Sequence, residues 1–396
     1  MTYSDIVSIR HMPLQIGRRD WLLILLAFVL SRVLFYAIGY FGAMHYNVET
    51  DLLDPIQVGL LESVELEIPQ IFCQFDCNWF LGIADVGYDP YPFGMTTGHG
   101  SNWAFFPLFP LLGHALGDLL GIGTLKAFYL IANLSFLAAL PLFFLCLRQL
   151  GLSLELSRFG VLLLAFSPYS IYFIAPYTEA PFLAMMLTLF LFAYRHQWFW
   201  VAIAGMLMAA TRNLGVMVVF PILVLAVQEY GWRELLRFGD RGLRVLLTLW
   251  CIPLALFSFM FYMHFHVGDA FAFKHIQLAW GRILDNPFEY WWNGFETGGR
   301  KYYLSVVILL GWLLNGYLFW QKRYGEALFM LICIFVPLMT STNAIPRYLF
   351  VLYPTMLALV LLVRNKPMLR PLLLACSAML AGYFVVAWVN AKFFIV

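Results

Sequence analysis

Charge is what this chain has least of. Only 12% of its 396 residues are Asp, Glu, Lys or Arg, against about 25% in a typical soluble domain. This scarcity excludes a soluble globular enzyme, a disordered tail and a nucleic-acid-binding protein with a basic patch. Hydrophobic residues make up 62% of the chain and aromatic residues 18%, as is typical of proteins that contact lipid and the membrane interface. We interpret the chain as an all-α polytopic membrane protein with no nucleic-acid partner.

Familiar nucleotide and metal motifs are also missing. The sequence contains no Walker A motif, no G-x-G-x-x-G motif, no nucleophile elbow and no H-E-x-x-H motif. A nucleotide is therefore not supported as the direct substrate. His264, His266 and Asp269 are too loosely spaced to predict a metal site, and no Cys/His set has zinc-finger spacing. The sequence indicates no cofactor, while leaving a divalent metal open.

Six cysteines are present, and they fall into two groups. Four of them lie inside apolar runs, where cysteine usually serves as a small core residue. These are Cys146, Cys251, Cys333 and Cys376. Cys73 and Cys77 lie four positions apart in a polar segment. They can form a disulfide if that segment is outside the cytoplasm, and two free thiols are the alternative.

Eleven apolar runs are candidates for crossing a bilayer, which takes about 20 residues of helix. The predicted helices are 21–43, 124–147, 158–174, 178–194, 198–211, 214–228, 244–265, 302–320, 326–341, 347–363 and 371–390. The first run follows Arg18 and Arg19 and is too long for a signal-peptide core, so we predict a retained transmembrane helix. The runs 198–211 and 214–228 are short, and one long helix is the alternative there.

Basic residues decide between these alternatives, because cytoplasmic loops are enriched in Lys and Arg. If the first helix runs from inside to outside, 15 of the 24 basic residues fall in cytoplasmic segments. They are Arg10, Arg18, Arg19, Arg148, Arg158, Arg195, Arg233, Arg237, Arg241, Arg244, Lys322, Arg323, Arg364, Lys366 and Arg370. A single helix over 198–228 would move four of them to the outer side. Two helices are therefore predicted, with Arg212 at the outer end of their hairpin.

Two long segments are predicted on the outer side, a first loop over about 44–123 and a second loop over about 266–301. The first loop carries the largest group of acidic residues: Glu49, Asp51, Asp54, Glu62, Glu65, Glu67, Asp76, Asp85 and Asp89. Long loops on one face indicate that the protein functions on that face. Without internal repeats, the chain is predicted to be one membrane domain over 1–396. Its compact cytoplasmic loops favour a bacterial inner membrane over the endoplasmic reticulum.

Asp76 stands in an aromatic part of the first loop. Desolvation against lipid and aromatic rings increases the proton affinity of a carboxylate, which suits a general base near neutral pH. The alternative is that Asp76 only caps a short helix that follows it. The residues alone leave both interpretations open.

Two short helices are predicted on the membrane surface within the first loop. One covers 76–86 and ends at Gly87, and its inward residues are Phe80, Ile83 and Ala84. The other covers 104–118. Two prolines, Pro107 and Pro110, are expected to break it.

Charged residues also adjoin the predicted spans. Glu179 begins a helix, either as an acid favoured by the helix macrodipole or as an acceptor for a sugar hydroxyl. Arg212 and Arg347 lie at the predicted outer side, where an unpaired guanidinium is costly. They are candidates for binding a phosphate, and a structural ion pair is the alternative. Arg32, inside the first helix, has the same two interpretations.

The second loop contains further cations. Lys274 and His275 are candidate donors to an anion. A solvated loop face is the alternative for both residues.

Motifs along most of the chain resemble those of the PIG-V-type mannosyltransferases. The sequence FDCNWFLGIADVGY at 75–88, followed by AFFPLFP at 104–110, is similar to the signature of that family's first loop. The family segments S-P-A-S…A-P-Y-S-E, T-R-x-x-G, G-D-x-x-A-F…Q…W and P-R-Y have similar counterparts in the same order. They are SPYS at 167–170 with APYTE at 175–179, TRNLG at 211–215, GDAFAF at 268–273 with Gln277 and Trp280, and PRY at 346–348.

This resemblance implies a GT-C-type fold with an active site on the lumenal or periplasmic side. It implies inverting transfer of a sugar, mannose in the family, from a polyprenyl-phosphate donor to a hydroxyl of a lipid, glycan or peptide acceptor. The catalytic base would be Asp76, and the donor phosphate would be bound by Arg347, Arg212, Lys274 and His275. The substrate-binding residues would be Glu179, Asp85, Asn102, Gln277 and Trp280.

A flippase or transporter of a lipid-linked sugar is the alternative from another class. Transporters usually show internal repeats and charged or broken helices at the middle of the membrane. This sequence has no repeat, and its acidic residues gather in a loop. These two features favour the enzyme.

Overall fold

The computed structural model describes residues 15–50, 68–91, 100–237 and 239–392, with the side chains of 45–50 excepted. Every regular element in these ranges is a helix. The α-helices are α1 Arg18–Thr50, α2 Ile68–Phe72, α3 Cys77–Asp85, α4 Leu108–Leu120, α5 Thr124–Gln149, α6 Leu154–Ala165, α7 Glu179–Tyr194, α8 Trp198–Thr211, α9 Val219–Tyr230, α10 Trp232–Leu235, α11 Asp240–Val267, α12 Ala272–His275, α13 Pro287–Thr297, α14 Gly299–Trp320, α15 Tyr324–Leu338, α16 Ile345–Phe350, α17 Tyr353–Leu362 and α18 Leu369–Val389. Short 3₁₀ helices cover Asn102–Ala104, Ser170–Phe173, Asn213–Val218 and Ile276–Trp280.

Six helical segments of the described chain are long and apolar enough to cross a membrane. They are Arg18–Met44, Thr124–Gln149, Asn213–Tyr230, Asp240–Val267, Gly299–Trp320 and Leu369–Val389. Shorter apolar helices, among them α7, α8, α15 and α17, accompany them. The chain is thus an all-α polytopic membrane protein. A helix occupies each predicted interval, but the predicted count of eleven spans is not confirmed.

Prolines and one arginine decide where the predicted helices end. The interval 158–174 is not one helix, because α6 stops before Pro168 and a 3₁₀ helix follows it. The interval 347–363 is also divided, because Pro354 begins the new helix α17. At Arg212 the backbone is extended, with φ −155° and ψ 145°, so the prediction of two helices over 198–228 is confirmed.

The predictions for the two short helices of the first loop differ in how well they agree with the structure. Helix α3 buries Phe80, Ile83 and Ala84, as predicted. It ends before Gly87, which has a left-handed φ of 96°. Of the two predicted breaks inside 104–118, the one at Pro107 is confirmed, because α4 begins directly after it, and the one at Pro110 is wrong, because α4 is continuous through it. Proline in the first turn of a helix removes no hydrogen bond that the helix needs.

The core contains aliphatic side chains and many aromatic rings, and it lies between packed helices. Helix α5 packs against α7, and α8 packs against both α7 and α11. Cys146 and Cys333 are buried, as predicted, whereas Cys376 is exposed on α18. A lipid-facing helix surface is as apolar as the core, so an apolar run does not show which way a cysteine points.

Some predicted residues lie outside the described ranges. They are Arg10, Asp51, Asp54, Glu62, Glu65 and Glu67, together with the side chain of Glu49. The remaining acidic residues of the first loop are Asp76, Asp85 and Asp89, and the structure describes all three.

Candidate functional site

Two carboxylates and two guanidinium groups meet at one point of the fold. Arg347 of α16 donates from Nη1 to Oδ2 of Asp76 at 2.6 Å and from Nε to Oε1 of Glu179. Arg212 donates from Nη1 to the same oxygen of Glu179 at 2.6 Å. We call these four residues the ion cluster. It joins the start of α3, the start of α7, the break after α8 and helix α16.

Burial differs sharply across the ion cluster. The side chain of Glu179 is 0% exposed and that of Arg347 is 5% exposed, whereas that of Asp76 is 25% exposed. Within the described residues, Oδ2 of Asp76 accepts the bond from Arg347, and no hydrogen bond reaches Oδ1. Asp76 is therefore the carboxylate of the cluster that a substrate can approach.

The backbone around Asp76 is held by Tyr177. The Tyr177 hydroxyl accepts the backbone N–H of Asp76 at 2.8 Å and donates to the carbonyl of Gln74 at 2.7 Å. Asp76 is the N-cap residue of α3, but its side chain makes no capping hydrogen bond. The carboxylate is directed to Arg347, so capping is not its role here.

Non-glycine residues with left-handed backbone precede both partners of the Asp76–Arg347 pair. Phe75 has a φ of 50°, and Ala344 at the start of α16 has a φ of 62°. Such conformations cost on the order of 1–3 kcal/mol each and concentrate at functional sites. The fold therefore accepts backbone strain to bring this pair together.

Aromatic rings surround the two arginines. The guanidinium of Arg347 lies 5.0 Å from the ring centre of Tyr172 and 4.8 Å from that of Tyr177. The guanidinium of Arg212 lies 5.0 Å from the ring centre of Tyr348. Cation–π contacts of this kind hold a buried guanidinium in position.

The C-terminal helix supports the site through Trp388, which is fully buried. Its indole N–H donates to the carbonyl of Phe72 at 3.0 Å. Its ring centre lies 5.2 Å from that of Phe75 and 5.1 Å from that of Tyr177. Trp388 therefore packs behind the backbone that carries Asp76.

A disulfide joins Cys73 and Cys77, on either side of Asp76. The sequence left this pair open between a disulfide and two free thiols. The bridge closes a loop of the chain around Phe75 and Asp76. Disulfides persist mainly in oxidising compartments.

Two predicted residues of the first loop, Asp85 and Asn102, lie outside the ion cluster. Asp85 ends α3, about 13 Å along the helix from Asp76, and accepts the Thr124 hydroxyl at 2.6 Å. It lines an open pocket of about 310 Å³ together with Lys126. Asn102 is buried and binds the backbone of Gly87 and of Asp89 at 2.9 and 3.0 Å, and thereby braces the loop.

The predicted anion donors of the second loop are exposed. Lys274 makes no ion pair with the described residues, and His275 Nδ1 lies 2.7 Å from Asp269 Oδ2. Partial burial raises the pKa of Asp269. Hydrogen bonds from His275 and the backbone N–H of Phe271 outweigh it, so the pKa lies below its usual value. The structure does not bring Lys274 or His275 into the ion cluster.

Two other predicted residues of the second loop contact the site region. Gln277 accepts a hydrogen bond at 2.6 Å from Nη1 of Arg282. The ring centre of Trp280 lies 5.9 Å from that of Trp79, one turn after Asp76. The hydrogen bond of Gln277 lies within the second loop, whereas the ring contact of Trp280 joins that loop to α3.

For Glu179, Arg212, Arg347 and Arg32 the sequence left a structural role and a binding role open, and the structure shows the contacts of each. Glu179, Arg212 and Arg347 form structural ion pairs, and Glu179 is too deeply buried to face a sugar hydroxyl. Arg32 is also buried and donates to the carbonyl of Phe173 at 2.9 Å, with its guanidinium 4.4 Å from the Phe136 ring centre. These contacts make Arg32 a support for the segment that follows α6.

No metal site is present in the part of the chain that the structure describes, judged by groups of three or more His, Cys, Asp or Glu. One ring nitrogen of His266 lies 2.9 Å from the carbonyl oxygen of Tyr88. This contact joins α11 to the first loop.

Sequence reasoning missed several residues around the ion cluster. Tyr177 lies within the APYTE segment, in which only Glu179 was predicted to be functional. Trp388, in an apolar run, has no signal at all. Arg282 and Arg300 add positive charge in the neighbourhood of Tyr348 and Tyr172.

Solved structures similar to the chain include two of archaeal oligosaccharyltransferase. No protein-family model and no curated protein matches the chain. One similar solved structure is the Archaeoglobus fulgidus oligosaccharyltransferase in complex with Zn and sulfate, with TM-score 0.40, 16% identity and coverage of 82% of this chain and 48% of that chain. Another is the archaeal oligosaccharyltransferase AglB from Archaeoglobus fulgidus in complex with an inhibitory peptide and a dolichol-phosphate, with TM-score 0.43, 13% identity and coverage of 82% and 52%. The chain spans about half the length of these proteins.

Proposed function

We propose that the protein is an inverting glycosyltransferase of the GT-C type, related to the PIG-V-type enzymes. It transfers a sugar, mannose by the resemblance, from a polyprenyl phosphate to an acceptor hydroxyl. One observation carries the proposal: Asp76 presents a partly exposed carboxylate, with one oxygen held by Arg347 and the other open. A general base needs this combination of fixed position and accessible lone pair.

The proposed reaction uses the open oxygen of Asp76. Oδ1 of Asp76 takes the proton of the acceptor hydroxyl while that oxygen bonds to the anomeric carbon. The bond from this carbon to the phosphate oxygen breaks, and its electron pair stays with the lipid phosphate. Retention would need a second carboxylate, about 5 Å from the first, as the nucleophile. Glu179 is buried and occupied by two arginines, so inversion is favoured.

The leaving phosphate needs fixed positive charge. Arg212 and Arg347 hold Asp76 and Glu179 in the structure, and their predicted role towards the donor phosphate remains a prediction. Lys274 and His275 have the same predicted role. Both residues are exposed on the second loop.

The donor and the membrane side are proposed on the same basis. Helix α11 exposes a stripe of Phe257, Phe261 and Phe265, a surface that suits lipid chains. The disulfide between Cys73 and Cys77 supports a periplasmic or lumenal site. The acceptor would be a lipid, a glycan or a peptide, and a bacterial inner membrane is the proposed location.

A transfer assay tests this proposal. Purified protein in lipid is incubated with radiolabelled polyprenyl-phosphate-mannose and a panel of lipid and peptide acceptors. Asp76→Asn should lower the rate by about 10²–10⁴-fold. Because it also weakens the ion pair with Arg347, the melting temperature is measured in parallel and rates are compared per folded protein. The matched control Asp118→Asn, on the exposed surface of α4, should retain full activity.

Two results would contradict the proposal. Full activity in Asp76→Asn would remove the base assignment. Movement of the labelled lipid across the membrane without any transfer would favour a flippase.

A further inference from the structure

The ion cluster has no net charge to offer a substrate. Its two carboxylates and two guanidinium groups balance, and all of them take part in ion pairs. A phosphate that binds beside Asp76 brings additional negative charge to this neutral cluster. Cations beyond the cluster must offset that charge, because buried unpaired charge is strongly unfavourable.

A segment of the second loop crosses this site, and we call residues 281–286 the strap. Before the strap, the ring of Trp280 packs on Trp79 of α3. Within the strap, the backbone N–H of Asp285 donates to the carbonyl of Met339 at 2.8 Å, in the turn that leads to α16. The strap therefore runs from the helix of Asp76 to the turn before Arg347.

Arg282 is the cation that the strap carries. Its Nη1 donates to Oε1 of Gln277 at 2.6 Å, and it forms no ion pair with a carboxylate among the described residues. It lies in the chain between Trp280, which contacts α3, and Asp285, which is bonded to the turn before α16. Its electrostatic influence on Tyr348 agrees with this placement. Arg282 thus adds uncompensated positive charge beside the ion cluster.

The two residues after Arg282 are apolar and exposed. Ile283 is 59% exposed and Leu284 is 70% exposed. Exposed aliphatic side chains next to a cation suit a ligand with a charged head and an apolar tail. This pairing favours a lipid-borne phosphate over a free phosphate.

We propose that Arg282 binds the phosphate group of a polyprenyl-phosphate substrate, while Gln277 holds its guanidinium in place. This inference rests on the proposed function and adds Arg282 to the residues that bind the donor phosphate. Arg282 supplies the charge that the ion cluster lacks, and Ile283 and Leu284 border the lipid tail.

Binding of undecaprenyl monophosphate to the purified full chain tests this assignment. Arg282→Gln should weaken binding about tenfold or more, as expected for the loss of a charge-assisted hydrogen bond. Arg282→Lys should fall between Arg282→Gln and the wild type. The matched control Lys301→Gln, which also removes an exposed cation, should bind within about twofold of the wild type.

Additional measurements distinguish a lipid-phosphate site from the other possible results. Inorganic phosphate should compete poorly, and competition as strong as that of the lipid would overturn the lipid assignment. Equal binding by Arg282→Gln and the wild type would overturn the role of Arg282 and leave the proposed enzyme standing. Absence of binding by the wild type would count against the proposed function itself. If Arg282→Gln does not fold, Arg282→Lys decides the question.

Discussion

The hydroxyl of Tyr177 lies between the carbonyl of Gln74 and the backbone N–H of Asp76 and binds both. It therefore spans the turn at Phe75, whose left-handed backbone is unfavourable without support. The orientation of Asp76 depends on this one phenol and on Arg347. Tyr177 is a positioning residue, because the substrate itself would contact Asp76.

Tyr177→Phe should lower the turnover number about tenfold or more, because small displacements of a catalytic group cost large factors in rate. The Michaelis constant should change little, since substrate contacts remain. The matched control is Tyr129→Phe, which removes a similar bond at 2.7 Å to the carbonyl of Pro69. Both variants should lose about 1 kcal/mol of stability, and equal activities in the two would contradict the positioning role.

Glu179→Gln should destabilise the fold by about 3 kcal/mol, because it leaves buried guanidinium charge without its partner. Thermal unfolding in detergent measures this loss. The control is Glu155→Gln, which breaks an exposed pair with Arg370 and should cost about 0–1 kcal/mol. If both variants melt together with the wild type, the buried pair contributes no stability.

Thiol counting tests the disulfide in the first loop. The denatured protein should take up alkylating reagent at four cysteines before reduction and at six after it, because Cys73 and Cys77 are joined. Mass spectrometry reads the count directly. Six labelled cysteines without reductant would show free thiols and would weaken the proposal of an outer-side site.

Trp388→Phe should reduce both stability and activity. Loss of the bond to Phe72 and of ring volume should cost about 1–2 kcal/mol, and the support behind Phe75 and Tyr177 becomes looser. Trp250→Phe, at a residue that is 74% exposed, should have neither effect. An unchanged rate in Trp388→Phe would show that the contacts of Trp388 on α18 are not needed for activity.

Local patterns predicted the helices and part of the site. Apolar runs located the helices, and the basic residues correctly divided 198–228 at Arg212. The inward face of α3 followed from helical periodicity at Phe80 and Ile83. Asp76, Glu179, Arg212 and Arg347 were all singled out, and the structure brings them together.

Contacts between residues far apart in the sequence could not be predicted from local patterns. Nothing local shows that Arg347 reaches Asp76, 271 residues earlier. Asp85 and Asp76 share one short helix, yet they point to different neighbours. Trp388 was missed because an apolar run looks the same whether it faces lipid or core.

The positions of the four cluster residues along the chain set the order in which their ion pairs can form during synthesis. Glu179 and Arg212 are 33 residues apart on neighbouring helices, so they can pair soon after both are inserted. Asp76 must wait for Arg347, a delay of tens of seconds at about 5–20 residues per second. A nascent chain stopped before α16 would carry Asp76 without its partner. The proposed catalytic carboxylate therefore gains its arginine partner only after α16 has been synthesised.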